Sequence, residues 1–460
     1  MARLKFSVLI ILFVCIHTQK LNGQNLEVSF QIKGLENKTI VTGYYEGCKQ
    51  FLKDTLKLNE EGKASWIIDG HVTEGLYFVI LPGSRYFDML IGANQKFEVV
   101  SDTTNLEGTM RISPECESSL YLNYQKTARH LQNDYDKLTR KLKMELTDSL
   151  KSIRQQIQMV NQYLEKFKEE MMNLHPGSLT ANIMKLIKNP AAPAKSGELS
   201  SEMMREQYQK IIKNFPSSID FTDARLIFTP FLCPKLDSYF NHLLLQKNDS
   251  IIPAIRELMS RANTHQEYYD FFRRWLLENY SQRRFPGSEK SYVFIAEEYY
   301  INNQVGKTDS AFLNKLQVKV TRIKAIIPGA TPMNLDLPDT SGNIVSFMAI
   351  KQKDIILFIY DSDCSPCKYV KSEIKALLNR LDSRNIAVYA VDVNDNHSDW
   401  MNFIKTTGPE WIHVNGYAKK QELSSEYMLD FLPGLTLIGP DKKIIAANLS
   451  FPDVEKILRS

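Results

Sequence analysis

The sequence lacks the features that mark membrane-spanning, disordered and nucleic-acid-binding proteins. After the first residues, no segment contains the run of about 20 apolar residues that a membrane-spanning helix needs. No tract has a biased composition, and 57 basic against 53 acidic residues leave a net charge of +4. No basic stripe interleaved with aromatic residues indicates a nucleic-acid partner. A chain of 460 residues is long enough for about two to four domains.

The first 24 residues have the layout of a secretory signal peptide. Arg3 and Lys5 precede an apolar run at residues 6–16, and a polar stretch follows that ends at Gly23. We expect cleavage near Gly23 or Gln24, and therefore an exported protein of the periplasm or cell envelope with no transmembrane segment in its mature chain. Lipid anchoring at Cys15 is the disfavoured alternative, because Val14 stands where a lipoprotein signal requires a small residue.

Residues that bind metals or form disulfides are scarce, with six cysteines and eight histidines. No second cysteine pair and no spaced histidine pair completes a structural zinc site, so we expect neither a metal nor a separate cofactor. Removal of the leader leaves five cysteines, and only Cys364 and Cys367 are close in sequence. Cys48, like His71, is expected to be an isolated surface or core residue. The sequence does not determine how Cys48, Cys116 and Cys233 pair.

The segment at residues 25–105 has the pattern of a small β-sandwich. Residues 26–32 alternate between apolar and polar, and apolar runs at 76–81 and 96–100 also predict strands. Turn residues recur about every 8 to 12 positions, as in small sandwiches. Residues 56–58 and 64–68, on either side of a turn at 59–62, are expected to form a hairpin.

The segment at residues 115–326 has the pattern of a helical domain. Apolar residues recur at spacings of three and four between Leu131 and Leu174, without an intervening Gly or Pro. This predicts one very long helix, or two in succession, with a single apolar stripe. A coiled-coil partner could cover that stripe, but packing against the following helices is favoured. A loop at 189–197 and further helices at 249–262, 266–280 and 288–302 complete the domain, which contains no chemical motif.

The segment at residues 327–460 alternates strands and helices. Strands are predicted at residues 355–360, 386–393 and 435–438, with a hairpin partner at 443–447, and helices at 366–381, 398–406 and 452–459. This order predicts an α/β domain with a mixed sheet. The fold class is therefore multidomain, with an N-terminal β-sandwich, a central all-α region and a C-terminal α/β domain.

The pair Cys364 and Cys367 lies where the first of these strands turns into a helix. Unpaired amides at a helix start favour a thiolate, so Cys364 is the expected nucleophile. Cys367, one turn deeper, can resolve a mixed disulfide. Ser365 lies between them, and Pro366 stiffens the first helical turn without removing a hydrogen bond. A purely structural staple is the disfavoured alternative.

The segment resembles the thioredoxin-like reductases of bacterial cell envelopes, the TlpA/ResA-type group. The resemblance rests on the cysteine pair where a strand turns into a helix, and on Pro433 before the strand at 435–438. The entry strands from Gly329 to Ile344 and Lys368, directly after the second cysteine, add to it. It implies a thioredoxin-like fold, a cis-proline at Pro433, and pairing of an extended substrate with the backbone at Leu432 and Pro433. The upstream segments are similar to exported Gram-negative proteins in which a β-domain and an uncharacterised helical domain precede such an end.

Two departures from this family affect the expected chemistry. Asp363 replaces an aromatic residue before the first cysteine, and with Asp361 it opposes thiolate formation, whereas Lys368 favours it. Phe358 replaces the buried acid that many thioredoxins have six residues before the nucleophile. Asp361 also occupies the position at which a peroxidase relative would have Thr or Ser, which disfavours a peroxidase.

The sequence therefore predicts an exported thiol–disulfide oxidoreductase. Ser365 and Pro366 provide no charge that would stabilise the reduced form, so the reducing or exchange direction is favoured. The expected partners are disulfide-containing envelope proteins and an unidentified thiol electron donor. The alternative is an envelope binding or assembly module in which the redox domain is ancillary.

Overall fold

The computed structural model describes residues 25–459, apart from residues 115, 145–148, 189–200, 283–284, 286, 303–308, 352–353, 382–384, 408–410 and 430. The predicted signal peptide and the predicted loop at 189–197 lie outside the described residues. The chain divides into two compact units, Met1–Ala192 with Ser218–Lys235, and Pro193–Ser217 with Leu236–Ser460. The predicted domain boundaries near 25–105, 115–326 and 327–460 stay a prediction.

Two four-stranded sheets form the start of the first unit. Their strands are β1 (Leu26–Lys33), β2 (Thr39–Glu46), β3 (Lys49–Lys57), β4 (Lys63–Ile68), β5 (Gly75–Leu81), β6 (Arg85–Ile91), β7 (Lys96–Asp102) and β8 (Arg111–Ile112). The strand orders are β4-β1-β7-β8 and β3-β2-β5-β6. Side chains of both sheets, such as Phe30 and Trp66 from one and Val79 and Met89 from the other, share one buried core. The predicted β-sandwich is confirmed.

The predicted hairpin around the turn at 59–62 is wrong. The turn itself is present, since the Gly62 N–H donates to the Asn59 carbonyl at 3.0 Å. However, β3 pairs with β2 in one sheet and β4 pairs with β1 in the other. The turn therefore carries the chain from one sheet to the other. Trp66 on β4 thereby lies in the shared core, 1% exposed.

The chain outside the sheets is mainly helical. The helices are α1 (Leu106–Thr109), α2 (Glu117–Met144), α3 (Ser149–Leu174), α4 (Leu179–Ile187), α5 (Ser201–Asn214), α6 (Leu232–Asp237), α7 (Asn248–Ala262), α8 (Gln266–Ser281), α9 (Glu289–Ala296), α10 (Ser310–Ile326), α11 (Ser365–Arg380), α12 (His397–Ile404), α13 (Lys420–Glu426) and α14 (Phe451–Arg459). The heptad-like repeat falls on α2 and α3, which pack against each other and against α4. This packing agrees with the interpretation that following helices cover the stripe. No helix in the described ranges has the length and apolar character needed to cross a bilayer.

A disulfide between Cys48 and Cys233 ties residues 218–235 to the β-sandwich. The two Cα atoms are 5.6 Å apart and 185 residues apart in sequence. Beside this bond, the Gly47 N–H donates to the Ile227 carbonyl at 2.6 Å. The expectation that Cys48 is isolated is therefore wrong, because its partner is far away in sequence. Cys116 is a free cysteine.

The C-terminal α/β domain has a five-stranded mixed sheet. The strands of the whole domain are β9 (Asp336–Pro338), β10 (Ile344–Ser346), β11 (Asp354–Tyr360), β12 (Ile386–Asp392), β13 (Trp411–Asn415), β14 (Gly434–Ile438) and β15 (Ile444–Ala446). The main sheet has the order β13-β12-β11-β14-β15, while β9 and β10 form a separate hairpin. β11 pairs in parallel with β12 and antiparallel with β14. The mixed sheet is confirmed; β13 and α13 were not predicted.

The central strand β11 is buried on both faces. Ile356, Phe358 and Tyr360 lie in one core, which also contains side chains of α11 and α14. Ile355 and Leu357 lie in a second core on the opposite face. This two-sided burial explains the continuous apolar sequence of the strand, and it fixes the position at which the strand ends and the cysteine loop begins.

Candidate functional site

The loop between β11 and α11 places Cys364 at the helix start. Cys364 is the N-cap residue of α11, and its Sγ accepts the Cys367 N–H at 3.2 Å. The Cys364 N–H donates to the Asp361 carbonyl at 3.1 Å, which closes the loop. Pro366 lies in the first turn of the helix. The helix start therefore directs an amide and its partial positive charge at this sulfur, as a thiolate requires.

The two cysteines differ in accessibility. They are joined as a disulfide with their Cα atoms 5.3 Å apart. Cys364 is half-buried, whereas Cys367 is 0% exposed and belongs to the core beneath α11. Cys364 is therefore the more exposed cysteine of the pair. This asymmetry matches the predicted roles of attacking and resolving cysteine, which stay predictions.

The segment before β14 lies against the disulfide. The Leu432–Pro433 peptide bond is cis, as the family resemblance implied. The Leu432 carbonyl oxygen is 4.0 Å from Cys364 Sγ. Leu432 and Pro433 are both half-buried. Backbone groups of residues distant in sequence are thus brought next to the accessible sulfur, where an extended chain could pair with them.

The charges near the cysteines are paired. Lys368 Nζ is 3.3 Å from a carboxylate oxygen of Asp363. Lys420 Nζ, on α13, is 3.8 Å from Asp361, whose other oxygen accepts the Asn394 side-chain amide at 2.7 Å. Each acid that the sequence placed near the thiol therefore has a lysine partner. Their opposition to a thiolate is smaller than that of two unpaired carboxylates.

A buried acid, Asp392, lies beside the site, and the sequence reasoning missed it. It is the last residue of β12 and is 0% exposed. Its Oδ1 accepts the Ser362 N–H at 3.0 Å. Burial raises the pKa of this carboxyl to about 6; hydrogen bonds from Asn394 and Ser362 oppose the shift. The available signal was a single acid within the apolar strand predicted at 386–393.

The position of the missing family acid is filled by aromatic packing. Phe358 is fully buried, and its ring stacks on Tyr360 with centroids 4.9 Å apart. Tyr360 stacks in turn on Phe403 of α12 at 4.2 Å. A carboxyl group at residue 358 would have to lie among these buried rings. The strand β11 therefore offers no acid to the cysteine pair.

The segment that contains the cysteine pair is similar to known proteins. Residues 328–447 match the AhpC/TSA family. The C-terminal domain is thioredoxin-like. Over 122 residues it is 25% identical to the thiol-disulfide oxidoreductase ResA of Bacillus subtilis (strain 168), a match that covers 26% of this chain and 67% of that protein. The fold and these homologues support oxidoreductase activity of the thioredoxin-like domain.

Solved structures that match parts of this chain include proteins from Bacteroides species. A thioredoxin-like protein from Bacteroides caccae is 17% identical, with a TM-score of 0.47, and the match covers 59% of this chain and 97% of that one. The thioredoxin domain of a thiol-disulfide oxidoreductase from Bacteroides vulgatus is 21% identical, with a TM-score of 0.27, and the match covers 29% and 96%. The order of elements in the structure itself, with β-sheets first, helices in the middle and an α/β domain with a mixed sheet last, confirms the predicted fold class.

Proposed function

We propose that this protein is an exported thiol–disulfide oxidoreductase in which Cys364 attacks and Cys367 resolves substrate disulfides. The observation that carries the proposal is the geometry at the start of α11. Cys364 is half-buried. Its Sγ accepts the Cys367 N–H at 3.2 Å and lies 4.0 Å from the Leu432 carbonyl oxygen. One sulfur is thereby activated by the helix start and placed beside backbone that a substrate can use.

The exchange proceeds in two steps with one pair of electrons. The Cys364 thiolate attacks one sulfur of the substrate disulfide, which forms a mixed disulfide and releases the other substrate sulfur as a thiolate. Cys367, once deprotonated, attacks Cys364 Sγ and releases the second substrate sulfur. The substrate is reduced to two thiols, and Cys364 and Cys367 are oxidised to a disulfide. A thiol donor must then reduce this pair again.

The surroundings of the pair support the assigned roles. Leu432 and Pro433 would hold the substrate backbone, and Pro366 stiffens the turn that carries Cys364. Ser365 is exposed between the cysteines and brings no charge. Lys368 is paired with Asp363. Without a charge between the cysteines to stabilise the reduced form, we favour reduction or exchange over disulfide formation.

The proposed location and partners derive from the sequence. The apolar leader and the presence of disulfides indicate an oxidising compartment, the periplasm or cell envelope. The substrates are then disulfide-containing envelope proteins, and the electron donor is a thiol protein.

An observation on the first unit favours the alternative function as a binding or assembly module. On α3, Met159 and Tyr163 are each 58% exposed. The two side chains are one helical turn apart, and contiguous exposed apolar surface marks sites that bind other proteins. In this alternative, a Cys364→Ser variant keeps the cellular function. The oxidoreductase proposal requires that this variant lose function while partner binding persists.

The reduction potential of the Cys364–Cys367 pair tests the proposal. The purified protein is equilibrated with glutathione or dithiothreitol buffers, and the pair is trapped by alkylation. A value near about −270 mV supports a reductase, whereas one near about −120 mV contradicts the reducing direction. Cys364→Ser must abolish the couple, and Cys116→Ser, which changes a free thiol elsewhere, must leave it unchanged. A wild-type protein without a reversible couple refutes the proposal.

A further inference from the structure

Asp392 is an acid at the end of a strand that is otherwise apolar. Its side chain is fully buried. Alternation along β12 places it on the same face as Val388 and Ala390, which share a core with Tyr360 and Cys367. Asp392 therefore lies on the sheet face against which the resolving cysteine, Cys367, packs. A buried carboxyl group is costly unless hydrogen bonds compensate for its lost hydration.

The Asp392 carboxyl group is hydrogen-bonded to the loop that contains Cys364. Oδ1 accepts the backbone N–H groups of Ser362 at 3.0 Å and Asn394 at 3.2 Å. Oδ2 is buried and accepts no hydrogen bond from the residues that the structure describes. Ser362, itself 2% exposed, precedes Cys364 by two residues. The Ser362 hydroxyl is also buried and lowers the pKa of the Asp392 carboxyl. A short buried segment therefore links the acid to the nucleophile.

We propose that Asp392 is a positioning residue of the redox site, which holds the Cys364 loop and whose charge sets the proton affinity of the Cys364–Cys367 dithiol. It supplies from β12 the buried acidic group that β11 lacks at Phe358. The proposal rests on the proposed function, because it assigns Asp392 a part in dithiol–disulfide exchange. Asp392 acts through the loop and through its charge.

Among the described residues, Asp392 forms no ion pair, and the groups that face it are neutral or acidic. Tyr360 of β11 lies on the same face, and burial raises the pKa of its hydroxyl. Asp361 adds a negative charge, which Lys420 partly balances at 3.8 Å. On β13, the residue in register is the neutral Asn415.

Ionisation of Asp392 and of the dithiol must therefore be coupled. Burial raises the pKa of Asp392 to about 6. It therefore changes charge close to the pH range in which an activated thiol titrates. An ionised Asp392 and a Cys364 thiolate each disfavour the other, so the two titrations are linked.

The direct test replaces the charge and keeps the shape. Asp392→Asn retains a carbonyl oxygen for the Ser362 N–H. Asp395→Asn is the matched control, since Asp395 is exposed and its loss changes the net charge equally. Alkylation of Cys364 by iodoacetamide is followed by peptide mass spectrometry from about pH 4 to pH 9 in the reduced full-length protein.

We expect the titration of the Cys364 thiol to shift in Asp392→Asn and not in Asp395→Asn. The apparent pKa of the Cys364 thiol falls by about half a unit to one unit in Asp392→Asn, because a buried negative charge near the loop of Cys364 is removed. Asp395→Asn titrates like the wild type. Identical curves for the wild type and Asp392→Asn, or an equal shift in Asp395→Asn, overturn the proposal.

A measurement on the wild type keeps the proposal testable if Asp392→Asn does not fold. The reduction potential is measured against pH, and its slope should change near the pKa of Asp392 because reduction then alters proton binding at this group. A straight line through that range overturns the role of Asp392 alone. A wild-type protein with no reversible couple at any pH refutes the proposed function itself, and the two failures are therefore distinguishable.

Discussion

Loss of the Cys48–Cys233 disulfide should strongly destabilise the first unit. The bond connects cysteines 185 residues apart. Without it, the unfolded chain regains the freedom of a very long loop. The chain-entropy relation gives about 5 kcal/mol for a loop of this length as an upper value. Because measured values are usually smaller, we expect the free energy of unfolding to fall by about 2 to 5 kcal/mol in a Cys48→Ser, Cys233→Ser variant.

Urea denaturation of the oxidised protein measures this loss. A slope of about 2 kcal/mol per M converts the expected change into a midpoint lowered by about 1 to 2.5 M. Hydrogen exchange with mass spectrometry assigns the transition, because peptides from β1 and β5 report on the first unit and peptides from β11 and β12 report on the second. The shift should appear in the first pair of strands.

The control and the refuting result use the same assay. Cys116→Ser removes a free thiol from the same unit and should change stability by no more than about 0.5 kcal/mol. An unchanged midpoint in the double variant would show that the bond adds nothing to stability. An equal shift in β11 and β12 would show that its effect is not confined to the first unit.

Three further predictions concern the redox pair and buried charges. Cys367→Ser should accumulate substrates as mixed disulfides on Cys364, visible on non-reducing gels and absent after reduction. Arg225→Ala should destabilise the first unit by about 2 to 4 kcal/mol in urea, because Asp223, 8% exposed, loses the guanidinium 2.7 Å away. Burial raises the pKa of Asp88 from 3.8 to about 6, so its folded form holds the proton more tightly than the unfolded chain. Wild-type stability therefore falls as the pH rises from about 4 through about 6 and then levels off. Asp88→Asn should therefore add about 1 to 3 kcal/mol at pH 8 but little at pH 4, and an equal gain at both would contradict this reasoning.

The thioredoxin-like domain could be predicted because its signals are local. A continuous apolar strand, a loop and a helix beginning at Pro366 are adjacent in sequence, and together they locate the cysteine pair. β13 was missed because Trp411–Asn415 is short and half polar. In the first unit, the turn at 59–62 has the sequence of a hairpin turn, yet the strands on either side of it belong to different sheets. Local residues determine that a turn forms, whereas the partners of β3 and β4 depend on strands elsewhere.

The parts of the site that could not be predicted are those that other segments supply. The amide that donates to Cys364 Sγ belongs to Cys367, only three residues away. However, the carbonyl near this sulfur belongs to Leu432, and the lysine that pairs with Asp361 lies on α13. The position of Asp392 beside Ser362 results from the parallel pairing of β11 and β12, which the sequence around Asp392 does not show. Phe358 indicated from sequence that an acid was missing, and only the fold shows where an acid lies. A nucleophile can therefore be located from a motif, whereas the groups that tune it depend on sheet register. For this reason, Asp392→Asn and Asp395→Asn, three residues apart in sequence, should differ in their effect on Cys364.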